Sequence, residues 1–132
     1  MSFNILIVDD SETIRTIVAK TLKIAGVPIS EIFNASNGKE AIKMLKKEWI
    51  DVVFADINMP VMDGIEMINQ IRADSALYDT NIVVISTEGS KTRINELQDK
   101  GIRAYIHKPF TPEELNSTLI KILGDWNATE QC

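Results

Sequence analysis

Apolar residues follow two alternating rhythms along this chain. Short aliphatic runs of five or six residues are each followed by a longer stretch in which apolar positions recur every three or four residues. The first rhythm belongs to β-strands and the second to amphipathic helices. Five such pairs can be counted, with strands expected at Asn4–Val8, Glu31–Ala35, Asp51–Ala55, Asn81–Ser86 and Arg103–His107. Three of the five are almost continuously aliphatic, as strands buried on both faces of a parallel sheet should be.

The spacing predicts a first helix with Ile14, Ile17, Val18 and Leu22 on one core-facing stripe, ending near Gly26 and Pro28. A second is expected over Gly38–Trp49, with Ala41, Leu45 and Trp49 in line. A third, opened by Asp63, is expected over Gly64–Ala73, with Ile65, Ile68 and Ile71 or Arg72 inward. The fourth, Lys91–Lys100, offers only Ile94 and Leu97 as strong core residues before Gly101, and should be the least firmly held. The fifth has the clearest start: Thr111 as N-cap, Pro112 in the first turn and Glu114 closing a capping box, with Leu115, Leu119 and Ile122 inward. After Gly124 the helical period stops, so one domain over residues 1–124 and a loosely ordered tail over 125–132 are expected.

Five β-α units with no linker or internal repeat imply one open parallel sheet with helices on both faces, because a closed barrel would need eight. In such a sheet the site lies beyond the carboxyl ends of the strands, where the strand order reverses. Those ends carry Asp9 and Asp10, Asp56, Ser86 and Thr87, and Lys108 followed by Pro109. Three carboxylates at one edge repel: at about 5 Å and an effective dielectric near 20, each pair costs on the order of 3 kcal/mol. Lys108 can supply one positive charge, and a hard divalent cation with oxygen ligands, most simply Mg2+ keeping part of its water shell, can supply the rest. Helix capping would explain one aspartate of the doublet. A second beside it, with a third from another strand, favours a metal site.

Composition narrows the setting without changing that picture. The 132 residues are 45% hydrophobic and 25% charged, as in an ordinary globular domain. Apolar runs are too short to span a bilayer and no basic-then-apolar leader opens the chain, so a cytoplasmic location with no membrane partner is expected. A net charge of −5 argues against nucleic acid as a partner. The lone cysteine, Cys132, cannot form an internal disulfide and is read as incidental.

Four stretches together carry a specific resemblance: "VDD" (Val8–Asp10), "ADINMPVMDG" (Ala55–Gly64), "VVISTEG" (Val83–Gly89) and "YIHKPF" (Tyr105–Phe110). The chain resembles the receiver domain of two-component response regulators over residues 4 to 123 and, within that family, the stand-alone chemotaxis regulators of the CheY type. The resemblance implies a flavodoxin-like (βα)5 fold with strand order 2-1-3-4-5. It implies that Asp56 accepts a phosphoryl group from a histidine kinase. Asp10 and Asp56 would bind Mg2+ through their side chains, Asp9 through water and Asn58 through its backbone carbonyl. Phosphoryl transfer depends mostly on positioning and charge neutralisation, which Mg2+ and Lys108 would provide.

By the same resemblance, Ser86 is the switch hydroxyl that draws its loop toward Asp56. Thr87 competes with it, but successive strand side chains point to opposite faces, so only one can aim at the site. Thr87 stands where the family usually has alanine or glycine, and its branched side chain would narrow access to Asp56. Asn58 and Glu88 would tune self-dephosphorylation, Tyr105 would be the switch aromatic, and the Lys108–Pro109 peptide would be cis. Met59 and Met62 are read as packing residues. The output surface would be the fourth helix, fifth strand and fifth helix, including Lys91, Ile94, Tyr105 and His107.

Such a chain is a switch, not an enzyme acting on other substrates, and catalyses only its own phosphorylation and dephosphorylation. With no second domain following, a monomer is expected to act on a separate output protein, such as a flagellar motor switch component, with a phosphatase as a further partner. A phosphorelay intermediate or a phosphate sink would share every one of these features. An aspartyl-phosphate phosphohydrolase would need a carboxylate two residues after the nucleophile, where this chain has Asn58, and an insertion long enough to form a cap. A degenerate receiver serving only as a scaffold would not need the complete acidic, hydroxyl and lysine set.

Overall fold

Each aliphatic run forms a strand and each amphipathic stretch a helix in the computed structural model, which describes residues 2–59, 61–87 and 89–124. In chain order these are β1 (Phe3–Val8), α1 (Glu12–Ile24), β2 (Ile29–Ala35), α2 (Gly38–Lys47), β3 (Val52–Ala55), α3 (Gly64–Ala73), β4 (Ile82–Ser86), α4 (Lys91–Asp99), β5 (Ala104–His107) and α5 (Pro112–Leu123). The strands pair in parallel in the order β2-β1-β3-β4-β5, a flavodoxin-like sheet as expected. The tail over 125–132, including Cys132, lies outside the described residues.

Side chains alternate across the sheet, and each strand therefore feeds two cores. Leu6 and Val8 of β1, Val53 and Ala55 of β3, and Ile82 and Val84 of β4 meet Ala41 and Leu45 of α2, Met67, Ile68 and Ile71 of α3, and Leu97 of α4. Their neighbours Ile5, Ile7, Val52, Phe54, Val83 and Ile85 meet Val18 and Leu22 of α1 and Leu115 and Leu119 of α5. This two-sided burial is why β1, β3 and β4 read as nearly continuous apolar runs. β2 and β5 are edge strands and are correspondingly less buried.

Two expected core positions are corrected. Trp49 does not extend the line of Ala41 and Leu45, because α2 stops at Lys47 and Glu48 is already extended, with φ −122° and ψ 151°. The indole is 78% exposed and donates from Nε1 to Asp51 Oδ1 at 3.2 Å. Ile17 is 45% exposed, because the buried stripe of α1 is narrower than its apolar pattern and runs through Val18 and Leu22. On α4, Leu97 is the buried residue and Ile94 is half-buried, in keeping with the thin stripe seen in its sequence.

Side-chain caps fix the helix starts. Thr111 Oγ1 accepts from Glu114 N at 3.2 Å while Glu114 Oε1 accepts from Thr111 N at 3.2 Å, completing the expected capping box. Asp63 caps α3 by accepting from Glu66 N at 2.9 Å. Arg72, one of two inward candidates on α3, proves to be a tie and not a core residue, while Ile71 is fully buried. Its guanidinium donates to the carbonyls of Lys100 (2.9 Å), Gly101 (2.8 Å), Tyr78 (2.7 Å) and Thr80 (2.9 Å). One side chain thus closes the C-terminal end of α4 onto α3, the planar donor geometry serving carbonyls from two separate turns.

Candidate functional site

Because the strands are parallel, their carboxyl ends share one edge, and β1 lies between β2 and β3, where the strand order reverses. Asp9 follows β1 and Asp56 follows β3, and the Asp56 amide donates to the Val8 carbonyl at 3.1 Å. Lys108, just past β5, reaches across β4 to both acids. Its Nζ lies 3.3 Å from Asp56 Oδ2 and 3.6 Å from Asp9 Oδ2. The second oxygen of each acid is held by backbone: Ser11 N donates to Asp9 Oδ1 at 2.9 Å and Asn58 N to Asp56 Oδ1 at 3.2 Å.

Neither member of the aspartate doublet caps α1. That cap is Ser11, whose hydroxyl accepts from Ile14 N at 3.2 Å. Asp9 is buried and organises the turn before the helix, while Asp10 stands at the surface with its side chain beside Asp9. Asp9, Asp56 and Lys108 are therefore gathered in one place. Among the described residues, no three acidic, histidine or cysteine side chains are drawn together tightly enough to form a metal shell. The Lys108 ammonium lies against both Asp9 and Asp56 and supplies the fixed positive charge expected there. The donor chemistry still fits a hard cation, with carboxylate oxygens on Asp9, Asp10 and Asp56 at one sheet edge.

Burial holds the Asp9 carboxyl above the usual aspartate range, with Asp56 and Asp10 pushing the same way against the Ser11 amide and Lys108. A carboxyl raised in the folded state binds its proton more tightly folded than unfolded. Its contribution to metal-free stability is therefore fullest below the ordinary aspartate range and is lost as pH rises through the raised value. Asp9→Asn keeps an oxygen for the Ser11 amide and removes the buried charge. Metal-free at pH 7, the variant should melt higher by a margin on the order of 1 kcal/mol, and the difference should vanish in acid. Thermal melts with a chelator at both pH values check this.

Ser86 and Thr87 separate as strand alternation requires, with Ser86 completely buried at the end of β4 and Thr87 exposed. Tyr105 is half-buried against the core shared by α2, α3 and α4, and Lys91 and His107 are exposed. The Lys108–Pro109 peptide is cis. Met59 is buried and Met62 packs against the same core as Tyr105. Glu88 lies outside the described residues.

Two residues that bear on the site were not singled out in the sequence. Arg15 donates to the Asp9 carbonyl; the available signal was a cation near the start of α1, where the helix dipole disfavours it. Val61, in the loop after Asp56, has φ 68° and is 78% exposed. A β-branched residue in the left-handed region is strained, and here no burial offsets it. Val61→Asn should raise stability by about 1 kcal/mol, read as a shift in the urea midpoint.

The cavity touching Asp9, Asp56 and Lys108 is only about 10 Å³, floored by Ile14, Val18, Phe54 and Ile85. It can hold little more than a water molecule.

The family model described as the response regulator receiver domain matches residues 5–120. The chain belongs to this family. Among its relatives, chemotaxis protein CheY-3 of Vibrio cholerae is 40% identical over 121 residues, which cover 92% of each chain. The solved structure of the chemotaxis protein CheY4 of Vibrio cholerae superposes with a TM-score of 0.81 at 37% identity, covering 93% of this receiver and all of that chain. A CheX–CheY–BeF3–Mg2+ complex from Borrelia burgdorferi matches with a TM-score of 0.80 at 29% identity, covering 91% of the receiver and 88% of that chain. Asp9, Asp56, Ser86 and Lys108 of this receiver all lie within the matched span.

Proposed function

We propose that this receiver is a phosphorylation-controlled binding module acting in chemotaxis, with residues 1–124 as the working domain and Asp56 as the phosphoacceptor. The observation that carries the reading is the convergence of Asp56, Asp9 and Lys108 from three strands, with one ammonium within 3.6 Å of both acids. The CheY-type relatives support the chemotaxis setting.

Asp9, Asp10 and Asp56, with the Asn58 carbonyl, would hold Mg2+, which the Borrelia complex also contains. Bound there, the ion would supply positive charge that an anionic phosphoryl donor needs before it can approach a carboxylate. The chain's own groups do the rest. An Asp56 oxygen forms the new O–P bond as the donor's P–N bond to histidine breaks, and the departing imidazole keeps that electron pair. Lys108 neutralises charge beside the incoming group, and the Asn58 amide steadies the carboxylate. Ser86 donates to a phosphoryl oxygen and so draws the loop after β4 toward Asp56. The surface of α4, β5 and α5, with Lys91, Ile94, Tyr105 and His107, then changes its affinity for a separate output protein such as a flagellar motor switch component. Thr87 narrows the entrance, and Glu88 and Asn58 set the lifetime of the acyl phosphate.

A histidine kinase is the phosphodonor in this reading and a phosphatase a further partner, the receiver itself acting in the cytoplasm as a monomer. Incubation with acetyl phosphate and Mg2+ should add one phosphate to the native chain, seen by intact mass, and none to Asp56→Asn. Equal labelling of the variant would remove Asp56 from the role.

A further inference from the structure

We infer that His107 is a latch on the loop that follows β4, holding it away from the acid site through a hydrogen bond from the imidazole to the Thr87 carbonyl. His107 ends β5 and pairs in register with Ser86, and the next amide, Lys108 N, donates to the Ser86 carbonyl at 2.8 Å. The ladder between β4 and β5 stops there. The His107 side chain extends it by one residue, with Nε2 3.1 Å from the Thr87 oxygen. A carbonyl can only accept, so Nε2 must carry the proton.

Gly89 lies beside the same ring. A Cβ added there would stand 3.6 Å from His107 Nε2 and 3.9 Å from Cδ2, in ordinary contact. His107 shares a face of β5 with Tyr105, which packs on the α4 side of the sheet. The imidazole thus stands beside Thr87 and Gly89, just past the end of β4. An aliphatic side chain could cover this edge equally well, but only a donor can hold a main-chain oxygen one residue beyond the strand.

This inference rests on the proposed movement of the Ser86 loop toward Asp56. That movement would carry the Thr87 carbonyl off the ring, so the bond exists in one arrangement and not the other. A contact made in one state only biases the equilibrium between the two. His107 therefore favours the unphosphorylated arrangement.

The test is made on the unmodified protein, so that it does not depend on phosphorylation. Nitrogen-15 spectra of the neutral imidazole should show the Nε2–H form, and hydrogen exchange of amides 87–91 should be roughly three- to ten-fold faster in His107→Ala, the effect of one net hydrogen bond. His107→Gln, which keeps a donor, should restore part of the protection, whereas His107→Phe, which keeps only the ring, should not. A predominantly Nδ1–H imidazole, or unchanged exchange of the loop in His107→Ala, would overturn the latch. Acetyl phosphate labelling of the same variants separates the two ideas. Failure to label Asp56 in the native chain sinks the phosphoacceptor reading, while loss of the exchange effect with labelling intact sinks the latch alone.

Discussion

Gly64→Ala is expected to lower stability by about 3 kcal/mol and to slow acetyl phosphate labelling of Asp56 by roughly 10- to 100-fold. The reason is contact with backbone, not backbone conformation. A Cβ on Gly64 would stand 2.6 Å from the Asp56 carbonyl oxygen and 2.8 Å from Ile57 Cα, and neither atom can rotate out of the way. Gly64 N also donates to the Ile57 carbonyl at 2.8 Å, which clamps the start of α3 onto the peptide just after Asp56. The added methyl must push either α3 off the sheet or Asp56 away from Lys108. A displacement of about 1 Å in a reacting group is enough to cost two orders of magnitude in rate. Urea denaturation and a labelling time course read the two effects separately. A variant as stable as the native chain that labels at the native rate would show that the end of β3 yields freely.

Lys108→Met should also cost about 3 kcal/mol at pH 7 without divalent ions, because it removes a partner shared by two largely buried carboxylates. The side chains of Asp9 and Asp56 are 7% and 15% exposed, so water screens little of their repulsion. Methionine keeps most of the lysine stem, which leaves charge as the main difference. Lys108 is one of the groups that hold the raised Asp9 carboxyl down, so its loss raises the proton affinity of Asp9 further in the folded state, and the deficit should shrink as pH falls. Saturating Mg2+ at pH 7 should recover part of the same loss if the acids hold the ion as proposed. Melts at pH 7 and in acid, with and without Mg2+, test each arm, and partner binding by the variant should no longer respond to labelling. Equal stability of variant and native chain at pH 7 would mean that the two acids do not depend on Lys108.

The charged trio at the sheet edge and the glycine clamp behind it left very different traces in the sequence. Asp9, Asp56 and Lys108 each follow an apolar run, and the topology of a parallel sheet brings those positions to one edge whatever the details of packing. The clamp at Gly64 left no comparable trace. In the sequence it reads as the residue after a cap, and its close approach to the Asp56 peptide depends on how tightly α3 docks. Trp49 misled for a related reason: its spacing from Ala41 and Leu45 is helical, but α2 ends before reaching it, and a local period cannot register where the chain turns away. The thin stripe of α4 was legible, yet its closure by Arg72 was not, since the donor and its carbonyl partners at Lys100 and Gly101 lie 28 and 29 residues apart.

By itself the sequence determined the five β-α units, the doubly covered sheet, the capped start of α5 and the edge on which the acids collect. These follow from periodicity and from short-range capping, which act between residues a few positions apart. Only the tertiary structure decided that Lys108 stands between Asp9 and Asp56 and that His107 meets the Thr87 carbonyl. Those outcomes are distances between strands, fixed by register and twist, and no local pattern encodes them.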